Sequence, residues 1–258
     1  MSKRDERLGN ILTELGQTGA ASVKSLAAQF DVTEVTMRRD LNRLLGEGKI
    51  RLIQGVALPL HEGCPETEDQ YSFESEVSHN QRQKQQIARE AVSLLGNDDT
   101  VILDAGSTTG EIAKALPQEM PLTILTNALN IVNTLAAGTN WDLIVPGGFF
   151  HKDEMLFSSE SGTEMISAMR ANKAFIAASG VDRKLGVTCK NMFEVGSKRA
   201  QISSSVRSIL VVDSSKFGSV QVVHFAEIDE FDMVITDAGI PDGYREFIID
   251  RGIDLHVV

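Results

Sequence analysis

Residues 22–58 read SVKSLAAQFDVTEVTMRRDLNRLLGEGKIRLIQGVAL, and the period of their apolar residues changes twice along that stretch. Leu26, Ala27 and Phe30 mark the inner face of a short helix that a tight turn follows. A second helix opens at Thr33, whose hydroxyl can accept an orphan first-turn amide, and Glu34 follows at the positive end of the helix dipole. At about 100° per residue, Met37, Leu41, Leu44 and Leu45 fall in one apolar sector, with Thr36, Arg39 and Arg43 opposite and Arg38 on the flank. From Lys49 to Ile53 the period drops to two; Gln54-Gly55 offers a turn and Val56-Ala57-Leu58 returns. An Arg38-Arg39 pair alone is equally well read as a solvated helix face. Joined to a capped helix, a preceding helix-turn and a basic hairpin, it describes a winged helix-turn-helix whose partner is duplex DNA. Thr33, Thr36, Arg38, Arg39, Arg43, Lys49 and Arg51 are the candidate DNA-binding residues, since guanidiniums bond bidentately to guanine edges or clamp phosphates.

Upstream, Leu8, Ile11, Leu12 and Leu15 recur at helical spacing over Arg7–Leu15, with Gly16 and Gly19 as stops. The 258 residues suggest a small domain followed by a larger one. Residues 1–58 carry a net charge of +2 and residues 59–258 carry −13, so the acidity belongs to the larger part. An acidic body is repelled by DNA except where the reader docks, which favours oriented binding. No uninterrupted apolar stretch of about 18 residues occurs, and MSKRDERLG lacks the apolar segment of a secretory signal, so a cytoplasmic location is expected. Cys64 and Cys189 lie far apart, without zinc-site spacing or disulfide density, and read as free thiols. No metal or cofactor is expected.

From Pro59 to Asn80 the chain has six acidic residues, no Lys or Arg and two prolines, and reads as a linker. The expected division is 1–58, a linker at 59–80, and 81–258. In the last part short apolar strands alternate with helices: strands at Thr100–Leu103, Leu122–Leu125, Trp141–Val145, Lys173–Ala177, Ser208–Val212, Met233–Ile235 and Ile253–Val258 imply an α/β domain with a mainly parallel sheet. Ligands of such sheets sit at the carboxyl ends of strands. There the chain places Asp104-Ala105-Gly106-Ser107-Thr108-Thr109, Thr126-Asn127 and Pro146-Gly147-Gly148. A loop with three hydroxyls running into a helix N-terminus can hold a phosphate, or can be a satisfied cap with no ligand. Glu194 and Lys198, four apart, read in isolation as a surface ion pair worth about 0.5 kcal/mol.

The TEVTMRRDL and GKIRLIQGVAL segments resemble the N-terminal winged helix of the DeoR family of bacterial transcriptional regulators, with Gln54-Gly55 where the family has Gly-Gly. DAGSTT, TN, PGG, NKAFIAASG, GVT, the Glu194-x-x-x-Lys198-Arg199-Ala200 run and DSSKFG are similar to that family's effector domain, whose fold resembles ribose-5-phosphate isomerases and CoA transferases. The resemblance implies a sugar-phosphate pocket at Asp104, Gly106, Ser107, Thr108, Asn127, Gly147, Gly148, Glu194, Lys198 and Lys216; Lys152 stands near the place of a family arginine. It also implies a non-catalytic repressor of a carbohydrate operon, released by a phosphorylated sugar. Half-site symmetry on DNA asks for a homodimer or homotetramer. The alternative is a sugar-phosphate isomerase with an appended DNA reader, in which Glu194 would be the base and Lys198 or Lys216 the cation at the developing enediolate.

Overall fold

The computed structural model describes residues 3–18, 21–46, 49–53, 56–59, 73–138 and 140–258. They fall into two units, Met1–Gln70 and Tyr71–Val258.

The first unit runs α1 (Lys3–Thr18), β1 (Ala21–Ser22), α2 (Val23–Gln29), α3 (Glu34–Gly46), β2 (Ile50–Ile53) and β3 (Val56–Pro59). Leu8, Ile11 and Leu15 of α1 meet Leu26 and Ala27 of α2 and Met37, Leu41 and Leu44 of α3, and Ile50 and Ala57 close the core from the wing. The strands pair antiparallel in the order β1-β3-β2. Asp31 makes the turn between α2 and α3 at φ 49°, a left-handed conformation that a short polar side chain tolerates better than most. Two expectations shift. The first helix continues past Gly16, because one glycine costs a helix only about 1 kcal/mol. Leu45 is 45% exposed, because Leu41 and Leu44 already fill the contact with α2. A buried carboxylate, Asp40, accepts from Nε of Arg7 at 2.8 Å and ties α3 to α1. The wing turn Gln54-Gly55 lies outside the described residues.

The second unit begins with α4 (Phe73–Ser78) and α5 (Gln81–Ser93). There follow β4 (Thr100–Leu103), α6 (Ser107–Ala115), β5 (Leu122–Leu125), α7 (Leu129–Leu135), β6 (Trp141–Ile144), β7 (Phe149–His151), β8 (Leu156–Ser158), α8 (Glu160–Ala168) and β9 (Ala171–Ile176). The chain ends with β10 (Gly180–Asp182), β11 (Gly186–Cys189), α9 (Met192–Ser203), β12 (Ser205–Val211), β13 (Val223–Ala226), β14 (Met233–Thr236), α10 (Asp242–Ile249) and β15 (Asp254–Val257). Of the expected linker, 60–72 lies outside the described residues, whereas Phe73–Ser78 is helical and belongs to the second unit. Its six residues are too few to show a helical apolar period.

A seven-stranded parallel sheet, β15-β14-β12-β9-β4-β5-β6, forms the centre. Alternate side chains supply its two faces. Val101, Leu103, Phe175, Ile209 and Val211 pack with the α5–α7 side, while Ile102, Ala174, Ile176 and Leu210 pack with the side carrying α8, α9 and the small antiparallel sheet β10-β11-β13. That small sheet, the β7–β8 hairpin and α8 were not expected. The chain leaves β4 toward β5 on one side and later returns with β9 on the other. The β4/β9 seam is therefore the switch point at which open α/β sheets form a crevice.

Candidate functional site

In the first unit α3 carries most of the candidate DNA-binding residues. Thr33 accepts the Thr36 amide at 3.2 Å and its hydroxyl meets that of Thr36 at 3.0 Å, so Thr33 caps the helix as expected. Arg38, Arg39 and Arg43 are exposed, opposite buried Met37, Leu41 and Leu44. Thr36 is half-buried, Lys49 is exposed, and Arg51 stands in β2 opposite Leu58, its side chain outside what the structure describes. One helix thus meets both demands of DNA reading, a buried face that orients it and guanidiniums on the other.

In the second unit the chemistry gathers at the β4/β9 seam. Asp104 leaves the end of β4 with 1% exposure, and its Oδ2 accepts from the Lys198 ammonium at 2.5 Å and from the Ala177 amide at 3.1 Å. Lys198 also donates to the Ala177 carbonyl at 2.9 Å and lies 3.9 Å from the Glu194 carboxylate. The two residues read alone as a surface pair are thus buried. Burial alone would lower the Lys198 ammonium, but the Asp104 and Glu194 charges outweigh it and hold it above its ordinary value. Burial pushes the Glu194 carboxyl up; Lys198 opposes and Asp104 adds to the rise. Cys189 beside them is pushed up to about 12, by burial first and then by the Glu194 charge, and is an inert thiol.

Over this cluster α6 begins at Gly106 with no side-chain cap, and Ser107, Thr108 and Thr109 fill its first turn. First-turn amides without a cap suit an anion. Gly106 is required by close approach: a Cβ there would stand 2.7 Å from Cβ of Ala177 and 3.2 Å from the Thr109 hydroxyl. Gly106→Ala should therefore pry β4 from β9 and cost about 1–3 kcal/mol, measurable by urea denaturation; unchanged stability would show that the seam yields freely. A recess of about 20 Å³ lies here, lined by Ala105, Gly106, Glu154, Leu156, Ser179, Lys190 and Glu194. That is room for about one water. Glu154, from the turn of the β7–β8 hairpin, reaches Nδ2 of Asn191 at 2.7 Å, and His151 of that hairpin stacks on Phe193 at 3.6 Å. The hairpin supplies Glu154 and Leu156 to one wall of the recess.

A family model described as the DeoR-like helix-turn-helix domain matches residues 7–62, and one described as the DeoR C terminal sensor domain matches residues 79–238. The chain belongs to the DeoR family of transcriptional regulators. It is 30% identical to the deoxyribose operon repressor of Escherichia coli K12 over 98% of each chain, and 32% identical to the glycerol-3-phosphate regulon repressor of that strain over 99% of each. The L-fucose operon activator of Haemophilus influenzae is 30% identical over 96% of each chain. A solved ribose 5-phosphate isomerase from Methanocaldococcus jannaschii matches 54% of this chain and 55% of its own, at 14% identity and a TM-score of 0.38.

Not every expected residue of this DeoR-family sensor domain reaches the seam. Asn127 is buried and bridges elements, donating to the Phe157 carbonyl at 3.0 Å and accepting from Gln201 at 3.4 Å. With Gly147 and Ser197 it lines a second recess, of about 10 Å³. Gly148 sits at φ 144°, and a Cβ there would lie 2.3 Å from the Ser158 carbonyl, so this glycine lets the hairpin fold back. Lys152 is exposed in the hairpin turn. Lys216 lines neither recess; its ammonium is 2.5 Å from Glu76 of α4. Sequence reasoning missed Glu154 and Lys190, which adjoin the seam only through tertiary contact, and Lys84, which interrupts the buried stripe Ile87, Ala88 and Ala91 of α5 and was detectable there. Among the described residues no helix is long and apolar enough to cross a membrane.

Proposed function

We propose that this regulator is a repressor of a carbohydrate operon that leaves its operator when a phosphorylated sugar enters the β4/β9 crevice. The observation that carries the reading is the buried Asp104–Lys198–Glu194 cluster beneath the uncapped first turn of α6. Carboxylates and an ammonium suit sugar hydroxyls, and the helix N-terminus suits a phosphate. The names of the two Escherichia coli relatives, repressors of deoxyribose and glycerol-3-phosphate genes, support the ligand class and the sign. Ligand that binds the DNA-competent and DNA-incompetent states unequally by about 1–3 kcal/mol changes operator occupancy usefully. The regulator works in the cytoplasm, where the DNA is, as a homodimer or homotetramer whose symmetry matches paired half-sites.

We read the crevice as a sensor and not an enzyme. Glu194 Oε1 already accepts from the Asn191 amide at 3.0 Å and side chain at 3.3 Å, and Lys198 is held by Asp104 and the Ala177 carbonyl. Groups so engaged recognise a ligand more readily than they shuttle its protons. Thermal-shift titration with a panel of aldose and polyol phosphates should raise the melting temperature of the second unit, and the same compound should release bound operator. A panel without any shift would remove the sensor reading. Isomerisation of ribose 5-phosphate that Glu194→Gln abolishes would establish catalysis in its place.

A further inference from the structure

Beside the crevice a second set of charges gathers, with Lys84 buried and Glu76 and Lys216 half-buried, and the carboxylate at its centre comes from α4. Glu76 Oε1 stands 2.5 Å from the Lys216 ammonium and 3.6 Å from that of Lys84, which also donates to the Glu76 carbonyl at 2.5 Å. The Lys84 side chain is 1% exposed on the inner stripe of α5, a place where an ammonium persists only with a paired anion. Burial works to raise the Glu76 carboxyl, and Lys216, Lys84 and Lys190 outweigh it and hold it below its ordinary value. Lys190 also lines the recess at the β4/β9 seam. The Phe73 amide bonds the Asp153 carbonyl at 3.1 Å, in the hairpin turn whose next residue, Glu154, lines the same recess. Glu76 is therefore a protein-borne anion held by Lys216 and Lys84 and attracted by Lys190, the one of these three cations that also lines the recess, on the helix that follows the segment joining the two units.

We propose that Glu76 is an internal competitor of the effector: its carboxylate occupies Lys84 and Lys216 in the unliganded chain, and an anionic ligand group that engages these lysines frees α4. The inference rests on the sensor reading and adds to it the element through which occupancy is reported. A carboxylate brings one negative charge to the lysines and a phosphate brings up to two with more acceptors, so exchange is electrostatically downhill once the ligand is present. Before that, the bound Glu76 lowers the apparent affinity in proportion to the fraction of chains in which it is seated.

The test titrates inorganic phosphate into the full chain by calorimetry, against sodium chloride at matched ionic strength. Glu76→Gln should bind phosphate about fivefold or more tighter than the parent. In the parent, saturating phosphate should speed hydrogen exchange at the amides of Phe73–Ser78; this measurement decides the matter if the variant fails to fold. Equal or weaker binding by Glu76→Gln, no phosphate binding by either protein, or unchanged or slowed exchange in α4 would each overturn the proposal. A sugar phosphate that stabilises the second unit without any of these effects leaves the sensor and removes Glu76 from its working, whereas a panel without a hit removes the sensor itself.

Discussion

Exchange of Lys198 for methionine is expected to destabilise the second unit by about 3–5 kcal/mol, because it leaves the Asp104 carboxylate in the core with its cation gone. Both side chains of the pair are at most 3% exposed, so water cannot take over the role of the ammonium. The Ala177 carbonyl loses its donor as well, which loosens the end of β9. Urea denaturation of Lys198→Met, Asp104→Leu and the double variant separates the causes. The double variant should recover much of the loss, since two apolar side chains leave no unpaired buried charge. A double variant as unstable as Lys198→Met would mean that packing and not charge is responsible.

The deficit should also depend on pH. Burial already holds the Glu194 carboxyl above its ordinary value, and Lys198 is the strongest influence opposing that rise. Removing Lys198 lifts Glu194 further. A carboxyl whose folded value exceeds its unfolded one contributes stability that is present below the unfolded value and is lost as pH rises through the folded one. The Lys198→Met deficit should thus be smallest below the ordinary carboxyl value of 4.5 and should grow as pH rises above it. A deficit independent of pH would separate Glu194 from Lys198.

Arg39→Ala is expected to weaken binding to a selected operator duplex by about 10- to 100-fold, equivalent to about 1–3 kcal/mol for a bidentate base contact, while the melting temperature stays within a degree or two. The side chain is exposed, and its neighbours Met37 and Leu41, which bury the other face of α3, are untouched. Specificity should relax at one base position in each half-site. A residue that only clamped phosphate would instead weaken all sequences alike and reduce the salt slope by about one ion. Gel-shift competition between operator and random duplex distinguishes these outcomes. Unchanged binding would show that another surface reads the DNA.

The legible parts of this molecule share one property, that neighbours in sequence supply the signal. The Thr33 cap, the Met37, Leu41 and Leu44 sector of α3, the strand at Ile50–Ile53 and the run from strand into DAGSTT are all local, and all appear as read. The Glu194–Lys198 pair shows the opposite. Four residues apart on a helix, it reads as a weak solvated bridge until β4 delivers Asp104 from 94 positions away. Lys216 shows it again, since a shared motif placed it in the pocket while the fold hands it to Glu76, 140 positions distant, in a stretch that composition alone marked as linker.

By itself the sequence determined that a DNA-reading unit precedes an α/β domain and which strand ends carry polar groups, because helix and strand periods and caps arise from contacts a few residues apart. Only the tertiary structure decided that β9 returns beside β4, that a hairpin walls the crevice, and which carboxylate answers which ammonium. Those outcomes depend on strand order and burial, and burial alters the energy of a charge far more than any neighbour in the chain does.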